Sequence, residues 1–266
     1  VGILLVLVFS IPALLYLAAW RADERRALPF LIAALALHAG TLYLASSTAD
    51  GWRFGFAFVL SATLWIGIAV MWFEGLTMGL RAIRSILLPL AAIAVLLPLI
   101  FPGSELMQTS RRPLFAPHLI AGTLAYGVLT LAALHAALMA AAERALHGRR
   151  TTSTGWLGRF MDELPPLLTI ERMMFRLIAI GFTCLSVTAI SGVFFSEQVF
   201  GKPLSFNHKI VFTLIAWAVF GSLLLGRRLW GWRGRTALRL TLGGFMLLLL
   251  GYVGSHFVLE VILRRS

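Results

Sequence analysis

The chain is short of cysteine, of acid and of charge in general. Its 266 residues include a single cysteine, Cys184. One thiol excludes a disulfide framework, a CxxCH haem-attachment site and any multi-thiolate metal or iron–sulfur centre. Only 11 residues are acidic against 23 basic. Hardly any acid falls inside an apolar run, which argues against the carboxylate ladder of a proton-coupled pump. Charged residues make up 13% of the chain, about half the share of an ordinary soluble domain. Neither GxGxxG nor GxxxxGK[ST] occurs, so no phosphate-cradling loop is present. No stretch alternates with period two, which argues against a membrane β-barrel. Repeats and low-complexity linkers are also missing, so one transmembrane domain over 1–266 is expected.

What the chain has in excess is apolar surface, 59% of its residues. Eight runs are long enough to cross a bilayer at about 20 residues each, near 1–20, 28–46, 55–73, 85–101, 115–141, 174–194, 208–226 and 237–262. Backbone groups cannot be left unpaired in lipid, so these runs imply an all-α polytopic helix bundle. The first run lacks a basic leading segment and a small-residue cleavage site, so it reads as a span and not a signal peptide. The stretch 142–173 reads as an interfacial loop in which Pro165-Pro166 breaks helix and Thr169 caps the next one. With the N-terminus outside, sixteen basic residues fall on the cytoplasmic side, among them Arg21, Arg84, Arg172, Arg227, Arg228, Arg233 and Arg235, and seven on the other. The positive-inside rule then puts both termini on the outer, periplasmic side. The net charge of +12 needs no nucleic-acid partner to explain it.

Ionisable groups inside a bilayer are costly, so the histidines stand out. His38 falls near the middle of the second run. His118 opens the fifth run, with His135 about 25 Å deeper along the same helix. His208 opens the seventh run and His256 lies toward the outer end of the eighth. His118, His208 and His256 thus share one level on three helices. Neutral imidazole is a common ligand of haem iron, and two of them make a six-coordinate site. A single intramembrane histidine is more often hydrogen-bonded to a neighbouring helix. Most tryptophans sit at span ends as an interfacial belt; Trp65 and Trp217 lie within spans, where they either pack helices or face a macrocycle.

Three stretches sharpen the histidine reading. They are Pro117-His118-Leu119-Ile120 with Ala125-Tyr126-Gly127, then Leu164-Pro165-Pro166-Leu167 with Ile170-Glu171-Arg172-Met173-Met174-Phe175, and Asn207-His208-Lys209 through Trp217 to Gly231-Trp232-Arg233-Gly234-Arg235. Together they resemble the cytochrome c assembly superfamily of CcsA/CcmC-type haem-handling membrane proteins, and within it the short YpjD/HemX-like branch. The cytochrome c assembly-type region runs over about 28–262. In that family a motif of form WGxxWxWDPKExW lies on an outer loop and holds haem edge-on. Residues 200–212 align with it, but Phe200, Leu204, Phe206 and Phe212 replace its tryptophans and Asn207 its aspartate. The resemblance implies haem b as cofactor, with His118 and His256 as axial metal ligands. It implies that His208, Phe200, Phe206 and Trp217 surround the site, and that His38 is the deeper intramembrane histidine.

The implied function is a haem-binding, haem-handling protein of a bacterial inner membrane, related to cytochrome c biogenesis. No residue constellation would perform thioether chemistry alone, so a maturation factor is the expected partner beside haem and the bilayer. The alternative is a non-enzymatic accessory subunit that stabilises or regulates another membrane protein, such as an ion transporter. A transporter in its own right lacks support, because no paired broken helices in two repeats are evident.

Overall fold

Long apolar runs punctuated by arginine or by Gly and Pro dictate helices, since a backbone in lipid satisfies its own polar groups only that way. The computed structural model describes residues 2–48, 51–75, 81–105, 114–147, 166–197 and 208–251. Helices α1 (Gly2–Arg21) and α2 (Glu24–Ser46) are followed by strands β1 (Ser47–Thr48) and β2 (Gly51–Phe54). Then come α3 (Phe56–Gly75), α4 (Arg81–Ala94), the short α5 (Leu97–Ile100) and β3 (Ser104–Glu105). The remainder is α6 (Phe115–His147), α7 (Leu167–Phe194), α8 (His208–Leu229) and α9 (Gly234–Leu249). Among the described residues seven stretches are long and apolar enough to cross a membrane, α4 and α5 jointly forming one. The protein is an all-α polytopic membrane bundle.

Two helix sets meet along one seam. Helix α1 packs on α2 and α4, and α3 on α2 and α4; α7 packs on α6 and α8, and α9 on α6 and α8. The seam is α3 against α6. It closes at Gly127, where an added Cβ would lie 2.6 Å from Ile66 Cγ2 and 3.2 Å from the Thr63 carbonyl oxygen. Small residues allow such backbone approach between membrane helices, where packing replaces hydrophobic drive. Away from the seams, α1 leaves Ile3 and Leu4 at 81% and 69% exposure.

The strands form an antiparallel sheet in the order β1-β2-β3, pairing Ser47 with Trp52 and Arg53 with Glu105. Phe54 of β2 meets Phe58 and Phe115 edge-on, at 4.9 and 6.0 Å between centroids. The sheet thereby joins the ends of α2, α3 and α5 to the start of α6, marking a sheet face of the bundle. The opposite, arginine face carries the α1–α2 and α8–α9 turns.

Three features depart from the sequence reading. The small sheet is one, too short for period-two alternation to register. The fourth span is the second: it breaks after Ala94 and resumes at Leu97, where Pro98 occupies the first turn. Third, α7 begins at Leu167, so Thr169 lies inside its first turn and Pro166 takes the cap position without a side-chain cap. Residues 167–173 are therefore helix and not interfacial loop. The reason is Glu171, whose charge is matched inside the bundle as described below. The eighth run is described as helix over Gly234–Leu249, with a π-helical turn at 250–251; the rest of that run lies outside the described residues.

Candidate functional site

The two deepest histidines are enclosed by protein. His38 is fully buried, and both of its ring nitrogens are hydrogen-bonded across helices, Nδ1 with the Tyr16 hydroxyl at 3.0 Å and Nε2 with the Ser61 hydroxyl at 2.9 Å. Tyr16 also stands edge-on to the imidazole. The trio links α1, α2 and α3 at one level, and Trp65 Nε1–H adds a bond to the Leu35 carbonyl at 2.8 Å. To ligate iron, His38 would have to surrender one of its two bonds. His135 is likewise fully buried, and its Nδ1 bonds the Leu131 carbonyl one turn back at 2.8 Å.

His118 stands differently. It lies in the first turn of α6 at the sheet face, half-buried, with Nδ1 2.8 Å from Ser191 Oγ on α7. The Ser191 hydroxyl donates its own hydrogen to the Val187 carbonyl at 2.7 Å and to that of Thr188 at 3.1 Å. With that hydrogen given to the backbone carbonyls, Ser191 Oγ accepts from His118 Nδ1–H. A ring hydrogen bonded in this way fixes tautomer and orientation, as outer partners do for metal-bound histidines. Gly192 gives the ring its seat, since a Cβ there would come within 3.3 Å of His118 Cε1.

The other residues named from the sequence divide. His208 is the first residue of α8 and is exposed. Trp217 donates its Nε1–H to Ser186 Oγ at 2.8 Å and stacks on Phe182 at 5.6 Å, so it joins α8 to α7. His256, Phe200 and Phe206 lie outside the described residues. Among the described residues no three His, Cys, Asp or Glu side chains form a metal-holding group, and a haem site at this face would draw on histidine donors singly.

Two groups escaped the sequence reading. Tyr126 donates its hydroxyl to the Leu248 carbonyl at 2.7 Å, pinning α6 to α9 just before the segment that carries His256. At the arginine face, Glu171 is 4% exposed and accepts from Arg227 at 2.9 Å and from Arg233 at 3.1 Å. Arg227 also lies over the Phe175 ring at 4.1 Å. The carboxylate holds the Arg233 pKa above its ordinary value, by hydrogen bonding first and by Coulombic attraction second. An acid five residues past Pro166, opposite a cluster of arginines, was the available signal; the choice among those arginines was not in it.

The family model for the cytochrome C assembly protein matches residues 26–263. The inner membrane protein YpjD of Escherichia coli (strain K12) is 30% identical over 172 residues, which cover 65% of this chain and 62% of YpjD. The chain thus spans about three fifths of the length of that relative. A 28.8 kDa protein from the nifR3-like 5′ region of Azospirillum brasilense is 30% identical over 95% of this chain and 94% of its own length. The cytochrome c biogenesis protein CcsA of Gloeobacter violaceus is 28% identical over 41% of this chain and 32% of its own. No solved structure matches the chain. The matched residues take in α2 through α9, including His38, His118 and the Glu171 cluster, and the chain belongs to the cytochrome c assembly protein family.

Proposed function

We propose that this chain is a multi-pass inner-membrane protein of cytochrome c biogenesis that holds haem b at its sheet face, with His118 as one axial ligand. The observation that carries the reading is the His118–Ser191 pair, which fixes a half-buried imidazole at the sheet face, in the first turn of α6 and inside the matched family region. Imidazole nitrogen is a common ligand of haem iron. His256 is the candidate second ligand, and His208, Phe200, Phe206 and Trp217 would help hold the cofactor. Ser191 orients the imidazole, and Gly192 keeps the ring's approach open. His38 serves in this reading as a lock between α1, α2 and α3. The arginine face would be cytoplasmic and the sheet face periplasmic, in line with the positive-inside rule. The chain's own residues bind and orient the cofactor, while thioether formation and thiol reduction fall to a maturation factor.

A Soret spectrum and pyridine haemochrome of the detergent-purified protein test this beside the His118→Ala/His256→Ala double variant. Stoichiometric b-type haem in the wild type and its loss in a folded double variant is the expected result. A wild type that stays colourless after growth with a haem precursor overturns it. The replacement of every tryptophan in the aligned motif at 200–212 favours a second reading, in which the fold persists as an accessory subunit; a colourless protein that co-purifies with a membrane partner would support that one.

A further inference from the structure

The turn between α8 and α9 concentrates charge that the described residues neutralise only in part. From Arg227 to Arg239 the chain has five arginines, Arg227, Arg228, Arg233, Arg235 and Arg239, and no acid. Glu171, arriving from α7, is shared by Arg227 and Arg233, so one carboxylate answers two guanidiniums. Arg233 keeps half of its side chain in solvent, at 51% exposure. Arg235 reaches Glu143 only at 3.9 Å and stays 71% exposed, a geometry that contributes little. Arg228 and Arg239 are exposed as well.

The same turn is rigid and carries aromatic surface. The backbone N–H groups of Trp230 and Trp232 both donate to the Gly226 carbonyl, at 2.9 and 3.2 Å. The Trp232 ring lies so close over Gly226 that a Cβ there would collide with it. Gly231 takes φ 65° between the two tryptophans, a conformation that L side chains rarely adopt. Trp230 then stacks on Trp232 at 5.6 Å and remains 65% exposed, next to Leu229 at 62%. Because α8 is a candidate span ending at Leu229, this Trp–Arg platform stands at headgroup depth, where indole rings are favoured.

We propose that the α8–α9 turn binds the headgroup of an anionic phospholipid, with Arg228, Arg233 and Arg235 facing the phosphate and Trp230 lying along the glycerol and upper acyl chain. Charge complementarity selects this occupant. A lipid phosphodiester supplies the anion for the guanidiniums that Glu171 does not neutralise, at the depth where they stand, and its acyl chain covers Leu229 and Trp230. Each arginine near a charged membrane surface raises affinity by roughly fivefold. The Glu171 contacts keep Arg227 and Arg233 in place, so the site is preformed.

The test uses the full chain in detergent with equimolar phosphatidylglycerol and phosphatidylcholine, read by native mass spectrometry. The expected result is retention of phosphatidylglycerol several-fold above phosphatidylcholine. An Arg228→Gln/Arg235→Gln variant, which leaves the Glu171 contacts intact, should lose most of that preference at an unchanged melting temperature. Trp230→Ala should shorten retention of phosphatidylglycerol. Equal retention of the two lipids by the wild type overturns the proposal. So does a preference that survives the double arginine variant, or displacement of the lipid by millimolar inorganic phosphate, which would mark a site for a free anion. Displacement by haem added at equal concentration would reassign the platform to the haem carboxylates and overturn the lipid reading. None of these outcomes depends on whether haem binds at the sheet face.

Discussion

His38 and His118 are both intramembrane histidines on long apolar helices, yet the bundle treats them in opposite ways. Around His38, hydroxyls from two other helices meet both ring nitrogens and exposure falls to zero. Around His118, one hydroxyl whose own hydrogen is already given to the backbone takes the Nδ1 hydrogen. The first arrangement consumes the imidazole to join helices. The second holds a half-buried imidazole to the neighbouring helix through one ring nitrogen. A buried histidine alone therefore does not mark a cofactor site; what its partners do with their own hydrogens does. Glu171 belongs with His38 in this contrast, since its oxygens are taken up in joining α7 to α8 and to the turn before α9.

If that contrast is right, substitutions in the locks cost stability and substitutions at the sheet face cost ligand. Glu171→Ala should have the largest effect. It strands Arg227 and Arg233, and removing one partner of a buried ion pair costs about 3–5 kcal/mol, reduced here toward about 2–3 kcal/mol because both guanidiniums keep solvent contact. Detergent melting would show it, and Glu171→Gln, which keeps an acceptor, should recover part of the loss. His38→Ala comes next, at about 1–3 kcal/mol from two stranded hydroxyls; a His38→Ala protein as stable as wild type would break the comparison. Gly127→Ala tests the seam on which both regions depend. Its methyl must displace Ile66, at about 1–3 kcal/mol, measured by the same melting. Ser191→Ala should be mildest, costing about 1 kcal/mol or less. It should keep the protein folded while altering the haem spectrum and reduction potential, because the ring loses the acceptor that sets its tautomer.

The sequence made the spans legible because hydrophobicity and helix length are local properties. Arginine-rich turns at 21–26 and 227–235 bounded them well, and α1, α3 and α8 fall within a few residues of the apolar runs. The family was legible too, through short contiguous motifs such as Pro165-Pro166 and Ile170-Glu171-Arg172. What could not be read were the partners. Ser191 lies 73 residues from His118, and Tyr16 and Ser61 lie 22 and 23 residues from His38 on either side. Which of them faces a histidine depends on how each helix is rotated about its axis, and nearly apolar helices carry little amphipathic signal to set that rotation. For the same reason Glu171 read as the end of a loop: only the arginines across α8 and the α8–α9 turn make its place inside α7 affordable.

One measurement bears most directly on the difference between the two histidines. Haem content and melting temperature should be determined in parallel for wild type, His118→Ala and His38→Ala, purified from cells supplied with a haem precursor. The account predicts that His118→Ala melts near the wild type but loses its Soret band, and that His38→Ala melts lower while its folded fraction keeps haem. A His118→Ala protein with full haem, or a stable His38→Ala protein without it, would contradict the account.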